Sequence, residues 1–186
     1  MQENSFKKRN AIHKDFYAAK SLLYDACGFE LTEPIAENES SEYGACHFKL
    51  DGNEIKFRVS KITAKKIGQF VATWKRDEQG ITQPFHETDE LDFIVISSRS
   101  GDNFGQFVFP KVVLAEKGII TTKSREGKRG IRVYPPWDKP TNKQAEKTQS
   151  WQTEYFFRIY NNNSAELNAV KKLLKKATYK RESNIS

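Results

Sequence analysis

Residues 45–60 read ACHFKLDGNEIKFRVS, and this stretch decides the fold. Apolar and polar residues alternate over 45–50 and again over 54–60, the pattern of strands whose successive side chains point to opposite faces. Between the two runs stand Asp51, Gly52 and Asn53; Asp and Gly tolerate the positive φ that a tight turn demands. The stretch predicts a β-hairpin. Outward from it, 70–75, 93–97 and 106–109 read as further strands, and the continuous apolar run at 93–97 suits a central strand covered on both faces.

Helices are predicted at both ends. Ile12, Phe16, Ala19, Leu22 or Leu23, and Ala26 recur every three or four residues, and Gly28 stands where a left-handed C-cap belongs. Asn163 with Glu166 three residues on forms a capping box, followed by a buried stripe of Leu167, Val170, Leu174 and Ala177. The opposite face carries Lys171, Lys172, Lys175 and Lys176. Residues 142–151 read as a shorter helix, and 155–160 as either a late strand or its continuation. The expected class is α/β in the mixed α+β sense, a central mixed sheet of five or six strands flanked by helices. The 186 residues suit one domain, with a core over about 12–178, linker-like stretches at 31–41 and 121–130, and frayed ends at 1–5 and 180–186.

Composition narrows the function classes. Hydrophobic residues at 37% and aromatics at 12% exclude disorder and a collagen-like chain. The N-terminal residues hold no apolar signal segment and no apolar run approaches the roughly 20 residues of a membrane span, so a cytoplasmic protein without membrane contact is expected. Two cysteines without CxxC spacing and three scattered histidines predict no structural metal, and Cys46 and His47, as strand neighbours, should face opposite ways. No phosphate-loop, dinucleotide or serine-hydrolase motif occurs, so no small-molecule cofactor is expected.

The net charge of +7 is unevenly spread. Lys56, Arg58, Lys61, Lys65, Lys66, Lys75 and Arg76 follow one another without an Asp or Glu, and a second cluster holds Lys123, Arg125, Lys128, Arg129 and Arg132. Such segregation raises local potential and favours a polyanion. Gly68-Gln69-Phe70 and Gly105-Gln106-Phe107 are near copies, each with a glycine that admits a close neighbour. Gly127 and Gly130 bracket Lys128 and Arg129, a pattern in which amides and side chains reach one phosphate. Trp74, before Lys75 and Arg76, and Trp137 are candidate stacking platforms, although large aromatics more often serve as core.

With these residues collected, the chain resembles the MepB family, small bacterial proteins encoded beside multidrug efflux and regulatory functions. The resemblance spans about 17–157 and rests on FRVSKITAKKIGQFVATWKR, QPF, FGQFVFPK, GKRGIRVYPPWD and KTQSWQ. Ala64 departs from it, standing where relatives often carry proline. The resemblance implies a restriction-endonuclease-like fold and binding of duplex DNA without an assigned reaction. On the residues themselves, the candidate DNA contacts are Lys61, Lys65, Lys66, Trp74, Lys75, Arg76, Lys111, Lys128, Arg129 and Arg132.

The implied fold raises the question of a PD-(D/E)xK nuclease centre, in which two carboxylates hold Mg²⁺ and a lysine stabilises the attacking water. Glu54 and Lys56 share one strand face at period two, with Glu42 as the further acid. Asp92 is an alternative metal ligand, but two residues before Lys111 stands Phe109, which cannot ligate. The expectation is a DNA-binding protein of little sequence specificity. Its rivals are a Mg²⁺-dependent nuclease and a protein-interaction module for an acidic partner.

Overall fold

A computed structural model describes residues 11–159 and 164–182, with side chains for 165–175 of the second segment. In it, β2 (Cys46–Leu50) and β3 (Asn53–Val59) form the predicted hairpin, with Leu50 opposite Asn53. Asp51 and Gly52 make the turn with φ of 48° and 76°, the positive values their chemistry permits. A short edge strand β1 (Ile35–Ala36) joins β2, so the expected linker at 31–41 is partly sheet.

Three short or medium strands follow: β4 (Lys61–Thr63), β5 (Lys66–Ala72) and β6 (Trp74–Arg76), with β7 (Thr82–Pro84) pairing β6. The single strand expected at 70–75 is thus two strands broken at Thr73. The chain then enters β8 (Phe93–Ser100) and returns through β9 (Asn103–Pro110), α3 (Lys111–Glu116), β10 (Gly130–Val133), α4 (Lys143–Thr153) and β11 (Phe156–Arg158). The open choice at 155–160 resolves as strand over 156–158. Lys111 begins a helix rather than ending a strand, because Pro110 at the N-cap stops the ladder.

The main sheet is mixed, six strands in the order β1-β2-β3-β8-β9-β11, parallel only between β3 and β8. A parallel pair needs a crossover. Here the crossover contains β4 and β5, which with β10 form a second sheet ordered β10-β5-β4. The class is mixed α+β, as expected. β8 is central, with six successive buried residues.

One face of the main sheet is covered by the N-terminal helix and α5 (Ser164–Glu182): Phe16, Leu23, Tyr24, Val170 and Leu174 pack with Phe48, Phe57 and Val95. That first helix runs as α1 (Lys14–Ala19), a π-helical turn (Lys20–Tyr24) and α2 (Asp25–Cys27), ending at Gly28 with φ 69°. The π turn inserts one residue into the stripe, so Leu23 and then Cys27 face the core and the expected Ala26 faces water. The Asn163 cap and the fraying expected at 1–5 and 183–186 lie outside the described residues, as do the side chains of Lys176 and Ala177; at 180–182, where fraying is also expected, the backbone continues α5. The other face carries Ile94, Ile96, Phe107 and Phe109, covered by Val71, Phe85, Leu114, Ile131 and Val133.

The two Gly-Gln-Phe copies have a structural role. Gln69 accepts from Ser60 Oγ at 2.7 Å, and the same hydroxyl meets Ser98 Oγ at 2.7 Å. Gln106 accepts from Tyr24 at 2.8 Å and donates to Ser97 Oγ at 2.8 Å. Buried amides with partners tie the second sheet and the first helix to β8 and β9 without an unsatisfied cost. Among the described residues, no helix is long and apolar enough to cross a membrane.

Candidate nucleic-acid interface

Two clefts open on the side of the main sheet that bears the second sheet. The first, about 800 Å³, lies between the β4–β5 hairpin, β10 and α4. Lys65 and Lys66 come from the β4–β5 turn, Lys117 follows α3, Lys128 precedes β10 and Arg132 lies within it. All five cations line this cleft, and no Asp or Glu does. Lys65, Lys66 and Lys128 make no ion pair among the described residues, and Lys117 lies over the Trp151 ring at 5.4 Å.

Arg132 organises this rim. Its Nη1 donates to Thr63 Oγ1 at 3.0 Å and to the Gly68 carbonyl at 2.9 Å, and lies 3.3 and 3.4 Å from those of Lys66 and Ile67. A guanidinium satisfied by the turn's own backbone fixes the conformation from which Lys65 and Lys66 project. Gly68, with φ 85°, is what permits this closeness, since a Cβ there would lie 2.7 Å from the Tyr134 ring and 2.9 Å from Arg132 Cγ.

The remaining sequence candidates are placed elsewhere. Lys61 faces Glu42 at 3.9 Å and lies over the Tyr43 ring at 4.6 Å. Arg129 donates to the Thr82 carbonyl and to Glu126 at 3.2 Å each. Lys111 donates to the Asp89 carbonyl at 2.7 Å. The amides around Lys128 and Arg129, expected to reach a phosphate, are spent internally: Gly127 donates to Thr121 Oγ1 and Lys128 to the Ile119 carbonyl, both at 2.9 Å. Gly127 is there for packing, since a Cβ would meet the Ile120 backbone at 2.6 Å. Trp137 packs edge-on to Phe156 at 5.4 Å.

The second cleft, about 720 Å³, lies between β1-β2-β3 and the β6–β7 hairpin. Trp74, Lys75 and Arg76 line it, so the cations at 56–76 do not form one surface. Lys75 pairs with Asp89, and Arg76 donates to the Gly80 carbonyl at 2.6 Å with its guanidinium 5.2 Å over Trp74. Arg58, counted with the basic run, is buried in the core with only 1% exposure.

Glu54 and Lys56 share the face that borders this second cleft, as their spacing predicts, and Cys46 and His47 point to opposite sides. Glu54 is bound to Lys49 at 2.7 Å and Lys56 to Glu37 at 2.7 Å. Glu37 also takes Arg58 at 2.7 Å and His47 at 3.2 Å. Burial pushes the Glu37 carboxyl up, but Arg58 and Lys56 beside it more than reverse this and hold it below the usual carboxylate range. Glu42 is not among the residues lining this cleft, and Asp92 accepts from the Glu54 amide at 2.8 Å, tying β3 to the start of β8. Among the described residues, no group of three or more His, Cys, Asp or Glu is arranged to hold a metal ion.

Glu37 and Lys117 are the residues that sequence reasoning passed over. Glu37 sits in a stretch read as linker, and Lys117 is a single lysine with no pattern around it.

A family model described as MepB-like matches residues 37–158. The chain is similar to a crystal structure of MepB, at 32% identity and a TM-score of 0.70, over 81% of this chain and 99% of that one. It is also similar to a bacterial homing endonuclease, I-Ssp6803I, at 16% identity and a TM-score of 0.46, over 81% of this chain and 93% of that one. No curated protein matches.

Proposed function

This chain belongs to the MepB-like family, and we propose that it binds duplex DNA through the cleft between the β4–β5 hairpin, β10 and α4, contacting phosphates with little sequence preference. The observation that carries the reading is the convergence of Lys65, Lys66, Lys117, Lys128 and Arg132 on one concave surface lined by no acid. Like charges held together cost free energy unless an anion offsets them, and a phosphate backbone does so by releasing counterions. Arg132 acts through the turn: its bonds present Lys65 and Lys66 already ordered, which lowers the entropy lost on binding.

Duplex rather than single-stranded DNA is favoured by the aromatics. Unpaired bases need free ring faces to stack on. Trp151 is already covered by Phe109 at 5.3 Å and by Lys117, and Tyr134 packs over Gly68. Low specificity follows from the origin of the cations in strands and loops: α4, the helix in the cleft wall, contributes none of them. On this reading no cofactor is required, no membrane takes part, and the protein works in the cytoplasm, where its two free cysteines stay reduced.

A gel-shift titration tests it, using duplex and single-stranded probes of one sequence at two salt concentrations, with and without Mg²⁺. The expected result is retardation of duplex that weakens with salt and does not depend on Mg²⁺. Absence of duplex binding would overturn the reading. Plasmid nicking that requires Mg²⁺ and is lost in Glu54→Ala would establish the nuclease instead. Capture of an acidic protein that bare DNA does not compete away would establish the interaction module.

A further inference from the structure

Two isoleucines stand in water on the hairpin that carries the cleft lysines. β4 is an edge strand, and its Ile62 is 65% exposed; Ile67, just past the turn, is 42% exposed. Neither belongs to a core cluster. An exposed apolar pair on a sheet edge is a liability for chain-to-chain pairing, which proteins normally remove. Here it is kept, flanked by Lys61, Lys65 and Lys66.

The local backbone holds the pair outward. Ile62 is opposite Gln69 and Thr63 is opposite Lys66, so the register shift leaves Ile67 and Gly68 unpaired in a bulge. The Arg132 guanidinium bonds the backbone of that same bulge. Ile67 thus stands in the lining of the five-cation cleft, and Ile62 is exposed on the adjoining edge strand. We propose that Ile62 and Ile67 form a wedge that enters between base pairs of a bound duplex and kinks it, while Lys65 and Lys66 hold the adjoining phosphates. The inference rests on the DNA-binding reading above. Apolar wedges of this kind partly unstack a base step, and the bend wraps more DNA onto the protein.

Lysines beside exposed isoleucines also suit an anionic membrane. Shape favours DNA: the cations line a concave surface, which a phosphate ridge of a duplex can enter and a flat bilayer cannot.

The test uses the full chain and a duplex of about three helical turns labelled at both ends for energy transfer, with 2-aminopurine placed along it to report unstacking. Wild type is expected to shorten the end-to-end distance by a kink of about 20–90° and to raise 2-aminopurine fluorescence. Ile62→Ala/Ile67→Ala should bind with the same salt dependence yet leave the duplex straight and stacked, and Ile62→Phe should retain the kink. Duplex binding by wild type without bending or unstacking overturns the wedge and leaves the DNA-binding reading intact. Failure to bind duplex at all overturns both. Loss of binding to phosphatidylserine vesicles in the isoleucine variant, with bending unchanged, would assign the tip to a membrane and also overturn the wedge.

Discussion

Glu37 Oε2 lies 2.7 Å from Nη2 of Arg58, the largest fully buried side chain among the described residues. Arg58 Nη1 donates to the Phe57 carbonyl at 2.8 Å and the guanidinium lies 5.7 Å over Phe85, so the charge is carried by one carboxylate and a few local contacts. Removing one partner of a buried pair leaves the other charge uncompensated. Glu37→Gln is therefore expected to cost about 3–5 kcal/mol of stability at neutral pH, read by urea unfolding. Because the Glu37 carboxyl is held below its usual range in the fold, the pair's contribution is present at neutral pH and is lost as pH falls through the range where Glu37 protonates. Tm measured against pH for both proteins should show the gap closing on acidification; a constant gap would mean the ion pair is not what stabilises.

Cys46 should be inert in the folded protein. Burial pushes its thiol up to about 12, and the thiolate is the species that reacts. Iodoacetamide at pH 8 is expected to label Cys46 only at the rate of unfolding, followed by mass spectrometry with and without urea. Rapid labelling of the native chain at Cys46 would contradict this.

Salt dependence locates the DNA contact. If the five cleft cations neutralise about five phosphates, log K should fall with log salt at a slope of about −4.5. Lys65→Ala/Lys66→Ala should flatten the slope by about two units while changing stability by less than about 0.5 kcal/mol, since both side chains are exposed and unpaired among the described residues. Lys61→Ala, by contrast, should leave the slope nearly unchanged, because that amine already faces Glu42 and Tyr43. An unaltered slope in the lysine pair would place the DNA elsewhere.

Arg132→Ala should behave differently from the lysine variants. It removes the donor shared by Thr63 and the bulge carbonyls, so about 1–3 kcal/mol of stability should go with the lost affinity. Gly68→Ala, which needs a strained φ and pushes into Tyr134, should move both quantities in the same direction. Paired thermal melts and binding isotherms decide between this organising role and simple charge.

Scrambling the probe sequence should change the dissociation constant by less than about tenfold, because the five cleft cations are proposed to contact phosphates, whereas each good base contact would add roughly 1–3 kcal/mol of discrimination. A strong preference for one operator in a competition assay would show base readout that the cleft does not explain.

What the sequence determined by itself is local. The hairpin at 45–60, the Gly28 cap, the central β8 and the alternation that puts Glu54 and Lys56 on one face all follow from side-chain period and turn chemistry, which act between near neighbours. α3 escaped because six residues after a strand are too few to show a helical period. The same strict locality misread the charges. Lys75 finds Asp89, Arg58 finds Glu37 and Lys61 finds Glu42 across 14 to 21 positions of chain, and Lys65, Lys66, Lys117 and Lys128 meet without acids only because β5 pairs β10. Which cations are neutralised and which converge depends on strand order, and strand order is set by packing over long loops. That is why the tertiary structure alone decided the cleft.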